Sequence, residues 1–560
     1  MSPKAAYDLW WKNAVVYCVD VELFADSDGD GIGDFPGLLG KIDYLAGLGV
    51  TCIWLMPFYP SPNKDNGYDI SDFYGVDPRL GTLGDLVDFL RAARERGIRV
   101  IADLVVNHTS DQHPWFQSAR ADPESPYRDF YVWADEQPEG PPGVVFPDAE
   151  DSNWDFDEVA GKWFLHRFYS HMPDLNIANP RVRDEISKVV GYWLELGLSG
   201  FRVDAAPFVI EQAGTEARPG EEDPHDFLRD LRAFLNRRRG DAILLAEANL
   251  PPAEQRRFFG DEGGDEMHML FNFVLNQHLF LALVRQDPAP IVAALEELPP
   301  VPRTNQWANF VKNHDELTLD KLTEAEREEV FAALAPDPDM RSFGRGIRRR
   351  VPPMLDGDRA RTELLYSLLL TLPGSPVLLY GEEIGLGDNQ RVEGRAAVRV
   401  AMQWSAGRGG GFTTGEPAVP VVADGPFGPD QVNVAAQRRD PQSLLNWMER
   451  AIRARKELPE LGWGGWRVLG TDQPAVLAHR CDWQGSGVLA LHNLGPEPLR
   501  VQVAADDDAG AGAVMAELLA DQGYEPAKAG QPLDLGAFGY RWLRLPEAAA
   551  GSREHGRREG

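Results

Sequence analysis

Three short stretches far apart in this chain each end on a carboxylate: Gly200-Phe201-Arg202-Val203-Asp204, Leu244-Leu245-Ala246-Glu247 and Asn313-His314-Asp315. The first two follow apolar runs with strand character, and the third closes the apolar run 307–311. A carboxylate at the end of a buried strand is costly unless it has a partner or a task. Three such ends point to one shared pocket in which one carboxyl group attacks and another carries a proton. Arg202 stands two residues before Asp204 on the same strand face. Its paired donors suit a carboxylate and can keep Asp204 ionised and aimed. Crowding several carboxylates together raises one pKa, and Glu247 needs that shift to hold a proton at neutral pH.

The elements that must position these residues follow a β-α-β rhythm. Strand-like runs at 15–23, 50–55 and 98–104 alternate with helical patterns at 38–48 and 83–96, the latter stopped by Gly97. The rhythm resumes with a helix at 182–196, a strand at 200–204, a helix at 227–238 and a strand at 242–246. Runs at 267–273, 307–311 and 377–380 bring the strand count to eight. This predicts an α/β fold, a (β/α)8 TIM barrel with its chemistry on the rim at the strand C-termini. Residues 1–106 form its first part. Residues 107–175, rich in Pro, Asp and aromatics, read as an inserted irregular rim domain. Residues 176–460 carry the rest of the barrel, with rim excursions at 316–358 and 382–441. Short alternating strands over 461–547 read as a C-terminal antiparallel β-sandwich, and 548–560 as a disordered tail.

At 560 residues the chain is long enough for a barrel and smaller domains, and 43% hydrophobic residues with 15 Trp supply the core. A net charge of −31 repels phosphate backbones and anionic lipid, which disfavours nucleic-acid and membrane partners. Cys18, Cys52 and Cys481 show no metal spacing, and an odd count argues against a disulfide framework. With no signal-like start and no run of membrane-spanning length, a cytoplasmic location is expected. The C-terminal sandwich leaves two roles open, an interface in a homo-oligomer or a cap on the barrel.

Asp26-Ser27-Asp28-Gly29-Asp30-Gly31-Ile32-Gly33-Asp34 is a metal-loop signal in its own right. It follows the start of an EF-hand loop, but Gly37 stands where the bidentate Glu would be. The expected ligands of a structural Ca2+ or Mg2+ are Asp26, Asp28, Asp30, Asp34 and the carbonyl of Ile32.

Four motifs occur in order: Ala102-Asp103-Leu104-Val105-Val106-Asn107-His108, Gly200 to Asp204, Ala246-Glu247-Ala248-Asn249 and Lys312-Asn313-His314-Asp315-Glu316. On these the chain resembles the α-amylase family of glycoside hydrolases (family 13), and within it the trehalose synthase branch, over about residues 10–460. The resemblance implies a retaining enzyme, whose two carboxyl groups stand roughly 5–5.5 Å apart around the anomeric carbon. It implies Asp204 as nucleophile, Glu247 as acid/base and Asp315 as the group that binds sugar hydroxyls and favours the distorted ring. Tyr68, Asp69, His108 and His314 resemble the sugar-stacking and hydroxyl-binding residues, and Arg399 belongs to the substrate-binding set with Arg202. A second ion site is implied at Asn107, Asp174, the carbonyls of Phe208 and Val209, and Glu211. No organic cofactor is implied.

Residues 107–116, Met172-Pro173-Asp174-Leu175-Asn176, 313–319, and 344–350 with Leu355-Asp356 resemble the trehalose synthase branch. The resemblance therefore implies interconversion of maltose and trehalose, with freed glucose held in a closed pocket and water excluded. One loop departs. Where that branch reads Asp-Arg-Asp-Gly-Val-Arg-Thr-Pro-Met-Gln-Trp, this chain has Gly394-Arg395-Ala396-Ala397-Val398-Arg399-Val400-Ala401-Met402-Gln403-Trp404. The rival reading is therefore an α-glucosidase or glucosyltransferase on another small α-glucoside such as sucrose. A catalytically silent carbohydrate-binding protein is the reading from a different class, and the intact Asp204, Glu247 and Asp315 set argues against it.

Overall fold

The structure, a computed structural model, describes residues 9–138, 144–146, 149–210, 223–504 and 512–546. Eight parallel strands close into a barrel: β1 (Val16–Val19), β2 (Cys52–Leu55), β3 (Arg99–Leu104), β4 (Gly200–Val203), β5 (Ile243–Ala246), β6 (Met269–Phe271), β7 (Gln306–Phe310) and β8 (Ser375–Leu379). Each strand pairs with its neighbours in sequence, and Val16 of β1 pairs with Val377 of β8 to close the ring. Nearly every strand residue is buried, as parallel strands covered on both faces require. The register puts Asp103 opposite Arg202 across β3 and β4, and Arg202 opposite Leu245 across β4 and β5. These pairings decide which side chains meet inside the rim.

Local chemistry sets where the elements stop. The strand predicted over 15–23 ends at Val19, because Asp20 caps a helical turn, Val21–Phe24, by accepting from the Glu22 N–H. The helix predicted over 38–48 is two helices, Phe35–Leu39 and Ile42–Leu48, divided at Gly40. The strand predicted over 267–273 is only Met269–Phe271, since Asn272 caps the helix Phe273–Arg285 through the Leu275 N–H. The helix Leu83–Glu95 begins in a capping box of Thr82 and Asp85, and the left-handed Gly97 follows it.

The segment after β3 carries the helix Pro114–Ala121 and a three-stranded antiparallel sheet of Trp133–Ala134, Lys162–Leu165 and Trp154–Asp157. The excursion after β7 holds the helix Glu324–Leu334 and a small sheet of Leu317–Thr318, Gly346–Ile347 and Arg341–Ser342. Beyond Gly464 the chain builds a five-stranded antiparallel sheet with Gly465–Leu469 on its edge. The pair Leu499–Val501 and Leu533–Leu535 packs against it over a second core that includes Val476, Leu491, Val501, Leu533 and Leu543. The tail expected at 548–560 lies outside the described residues. Among the described residues, no helix is long and apolar enough to cross a membrane.

Candidate active site

Asp204, Glu247 and Asp315 follow β4, β5 and β7, and all three line one cavity of about 410 Å³ at the strand C-termini. That volume falls in the range of small-molecule sites. The ends of β4 and β5 are knitted together beyond the barrel. The Glu247 N–H donates to the Val203 carbonyl at 3.1 Å, and the Ala206 N–H donates to the Glu247 carbonyl at 3.0 Å. Ala205, next to Asp204, has φ +44, a left-handed turn that a residue with a Cβ adopts only when its surroundings hold it there.

Arg202 is the hub. Its guanidinium, 2% exposed, donates to Asp103 at 2.6 Å and also to Asp204 and to Glu247 Oε2. Asp103 further accepts from the Trp54 indole N–H at 2.9 Å. Burial pushes Asp103 up to about 7 against the pull of Arg202, with Asp204 adding to the rise. Burial likewise raises Glu247 to about 7; Arg202 opposes the shift, and Asp204 and Asp315 reinforce it. Arg202 and the Ala205 N–H engage only Oε2 of Glu247, so Oε1 makes no protein hydrogen bond among the described residues. A carboxyl group that lines a cavity, titrates near neutrality and keeps one oxygen unengaged can hand a proton to a ligand.

Asp315 is arranged for the opposite state. Arg399 Nη2 donates to its Oδ1 at 2.7 Å, and Arg395 Nη1 meets the same oxygen at 3.0 Å. Burial alone would raise this carboxyl, but the two arginines outweigh it and hold Asp315 well below the usual range. Burial keeps His314 neutral by pushing its imidazole down. The backbone beneath Asp315 is held by Lys312, whose buried ammonium donates to the carbonyls of Asn313 (3.0 Å) and Asp315. Burial lowers Lys312 to about 7, although Asp315 and Glu316 favour its charge.

The expected sugar-binding residues fall into two groups. Tyr68 and His108 line the cavity, with His108 Nε2 at 3.2 Å from the Tyr68 carbonyl. His314 stands behind them, stacked on Tyr68 with ring centroids 5.6 Å apart and bonded to its hydroxyl at 2.7 Å. Arg202 and Arg399 also act through the carboxylates they grip. Asp69 does not line the cavity. It is buried, and it accepts from Ser61 Oγ (2.8 Å), the Lys64 N–H (3.1 Å) and the Asp65 N–H (3.1 Å). Asp69 thus braces a loop that presents Asp65 to the cavity wall.

Sequence reasoning gave no role to Asp103, Asp65 or Lys312. Each is an acid or lysine inside or next to a singled-out motif, and an ionisable residue inside the apolar run of β3 was the available signal for Asp103. The altered 394–404 loop still delivers its arginines. The short helical turn Gly394–Val398 places Arg395 between Asp65 (2.8 Å) and Asp315, with its guanidinium 4.9 Å above the Phe146 ring. Phe146 stacks on Tyr169 at 4.7 Å and lies 5.3 Å from Phe343, and Arg345 donates to the Val145 carbonyl at 3.0 Å. Three rim segments thus meet in the cavity wall.

The two ion sites differ in their fit. Carboxylate oxygens of Asp26, Asp28 and Asp34 lie within 4.8 Å of one another, a spacing that one cation can bridge. Asp30 is not in that group, and its carboxylate accepts from the Ile32 N–H at 2.8 Å. The loop packs on the third excursion, where the Asp26 N–H donates to the Phe412 carbonyl at 3.0 Å. At the second set a side chain supplies the positive charge. Arg167 Nη1 meets Asp174 Oδ2 at 2.9 Å and the Phe208 carbonyl at 3.4 Å, while Asn107 donates to Asp174 Oδ1 at 3.1 Å. Asp174 is thus paired with a guanidinium and Asn107, while burial still raises it to about 7. Glu211 lies outside the described residues.

A parallel barrel whose rim collects an arginine-bridged pair of carboxyls and a third held well below the usual carboxylate range fits a glycoside-active enzyme. The family profile described as "Alpha amylase, catalytic domain" matches residues 20–334 and 348–464, and a sucrose hydrolase-like C-terminal domain matches 485–544. The chain belongs to the α-amylase family. It is 46% identical over 511 residues to the trehalose synthase/amylase TreS of Mycolicibacterium smegmatis, covering 88% of this chain and 86% of that protein. It is 42% identical over 559 residues to the trehalose synthase of Pimelobacter sp., covering 96% of each. Among solved structures, the trehalulose synthase MutB from Pseudomonas mesoacidophila superposes with a TM-score of 0.77 at 27% identity, over 97% of this chain and all of that one. The α-amylase from H. orenii superposes with a TM-score of 0.77, also at 27% identity, over 96% of this chain and all of that one.

Proposed function

We propose that this enzyme interconverts maltose and trehalose by intramolecular glucosyl transfer. Asp204 attacks the anomeric carbon of the nonreducing glucose while Glu247 gives its proton to the departing glycosidic oxygen. The glucosyl unit is then an ester on Asp204. The freed glucose stays in the cavity, turns, and offers its anomeric hydroxyl. Glu247 takes that proton as the new α,α-1,1 bond forms and Asp204 leaves. Asp315, kept ionised by Arg395 and Arg399, grips ring hydroxyls and favours the flattened, positively charged ring of both transition states. Tyr68 offers its face to the sugar.

The observation that carries this reading is the contact of three rim segments around Phe146, Arg395 and Arg345 in the wall of the cavity that holds the carboxylates. Retention of glucose requires an enclosing wall, because water reaching the ester would hydrolyse it. A second reading, an α-glucosidase or a glucosyltransferase on another small α-glucoside such as sucrose, is favoured by one observation, the altered loop from Gly394 to Ala401.

A Ca2+ or Mg2+ ion at Asp26, Asp28 and Asp34 fits the same proposal. It would neutralise crowded acids and tie the 26–34 loop to the third excursion, without taking part in bond making. The deciding experiment is product analysis during incubation with maltose, resolving trehalose from glucose over time. Trehalose as main product is expected. Glucose alone would replace the proposal with hydrolysis, and turnover of sucrose but not maltose would replace it with the second reading.

A further inference from the structure

A second cavity, about 460 Å³, lies at the other end of the barrel from the carboxylates. Its walls come from Lys12 before β1, Gln306 at the start of β7, Pro373 and Gly374 before β8, and the first hairpin of the C-terminal sheet. Four tryptophans line it: Trp307, Trp463, Trp466 and Trp483. Trp463 and Trp483 stack at 5.6 Å with an interplanar angle of 30°, and Trp466 is 37% exposed on the edge strand Gly465–Leu469. The Trp466 indole thus stands at the cavity edge, partly open to solvent.

The polar lining is specific. Only Lys12 and Arg303 carry charge, no carboxylate lines the cavity, and Arg303 makes no ion pair among the described residues. Lys12 is buried, already donates to the Asn305 carbonyl at 2.7 Å, and sits 5.8 Å from the Trp463 ring centroid. The indole N–H groups of Trp463, Trp466 and Trp483 have no protein acceptor among the described residues. The cavity thus combines flat apolar faces with hydrogen-bond donors at their edges. A pyranose ring is the complementary object, because its C–H face is apolar and its rim is a ring of hydroxyl oxygens. An acidic partner would meet a chain of net charge −31.

We propose that this cavity is an accessory carbohydrate site that binds a short α-glucan by stacking a glucose ring on Trp466 and the Trp463–Trp483 pair. It is separate from the reaction, so a glucan could be held here while the catalytic cavity turns over small substrate.

The test is calorimetric titration of the full chain with maltoheptaose in an Asp204→Asn background, which prevents consumption of the ligand. Two classes of site per chain are expected. Trp466→Ala should weaken one class by about tenfold, the size of one aromatic contact, and leave the other unchanged. Trp483→Ala should act on the same class, and Trp466→Ala alone, on an exposed strand, should keep native maltose turnover. A single class of site indifferent to Trp466→Ala overturns the proposal. So does a Trp466→Ala variant that loses self-association in sedimentation while its sugar binding stays intact, since the face would then join two copies of this chain. The titration counts sites whether or not maltose yields trehalose, so its failure and that of the proposed reaction are distinguishable.

Discussion

Arg395 reaches Asp315 at 3.0 Å from a loop that differs from the trehalose synthase pattern, and the same guanidinium lies 4.9 Å from the Phe146 ring. One side chain therefore links the charge state of Asp315 to the contacts between rim segments in the cavity wall. Arg395→Ala removes both effects. Asp315 keeps Arg399, so transition-state stabilisation is only partly lost, whereas the wall loses a contact spanning two rim segments. The expected result is a several-fold fall in kcat on maltose together with a higher ratio of free glucose to trehalose. Time-resolved product analysis checks this; an unchanged ratio would remove Arg395 from the enclosing wall.

The bridge through Arg202 separates the roles of Asp204 and Glu247. On the proposed mechanism Asp204→Asn leaves no nucleophile and should abolish turnover of every α-glucoside. Glu247→Gln should slow maltose by about 10²–10⁴-fold, the usual contribution of a positioned general acid. With α-glucosyl fluoride, whose leaving group needs no proton, the same variant should retain its first step and accumulate the ester on Asp204. Mass spectrometry of the intact protein reads that adduct directly.

The three strand-end carboxylates were legible because an acid closing an apolar run has few structural excuses. The barrel was legible for the same kind of reason: eight buried runs separated by helical patterns leave one economical closure. What escaped was set by contacts between distant segments. Asp69 follows the motif pattern, yet Asn66 and Gly67 turn the chain through left-handed conformations, and the Asp69 carboxylate folds back onto the N–H groups of Lys64 and Asp65. Arg167 gives no local hint that its guanidinium reaches Asp174, because the chain turns back between them and the Asp174 N–H donates to the Leu165 carbonyl at 2.9 Å. Helix and strand ends shifted wherever a short polar side chain, Asp20 or Asn272, captured an N–H.

The pH dependence follows from opposed shifts. Glu247 is raised to about 7, so its proton-donating form predominates below that pH and declines above it. Asp315 is held well below the ordinary carboxylate range, so its working ionised form persists as the pH falls. Activity on maltose should therefore lose about tenfold per unit on the alkaline side of Glu247, with no matching loss from Asp315 under mildly acidic conditions. The alkaline limb should disappear for glucosylation by α-glucosyl fluoride. Persistence of that limb would assign it to another group, with Lys312, also near 7, as the first alternative.

Lys312 can be distinguished by its own variants. Its ammonium donates to the carbonyls of Asn313 and Asp315, so it fixes the turn that aims Asp315 and does not touch the cavity itself. Lys312→Met removes the donor while keeping most of the packing volume. KM and kcat should both worsen, and Lys312→Arg should recover part of kcat because it restores a cation beside the carbonyls. Equal losses in both variants, with a matching fall in melting temperature, would indicate a purely structural residue.

The acidic loop gives a prediction independent of the reaction. Asp26, Asp28 and Asp34 repel one another without a cation, and Asp26 also anchors the loop to Phe412. An ion that binds only the folded chain stabilises it by RT ln(1 + [L]/Kd). Chelator treatment should therefore lower the melting temperature, and Ca2+ or Mg2+ should restore it in a concentration-dependent way. Asp28→Asn is the sharper probe, because Asp28 is the exposed member and its loss leaves the Asp26 and Asp34 backbone bonds in place. In that variant the response to the ion should shrink while the metal-free melting temperature stays the same or rises, since one repelling charge is gone. A parent protein indifferent to chelator and to both ions would mean that the loop is held by its Asp-to-backbone hydrogen bonds alone.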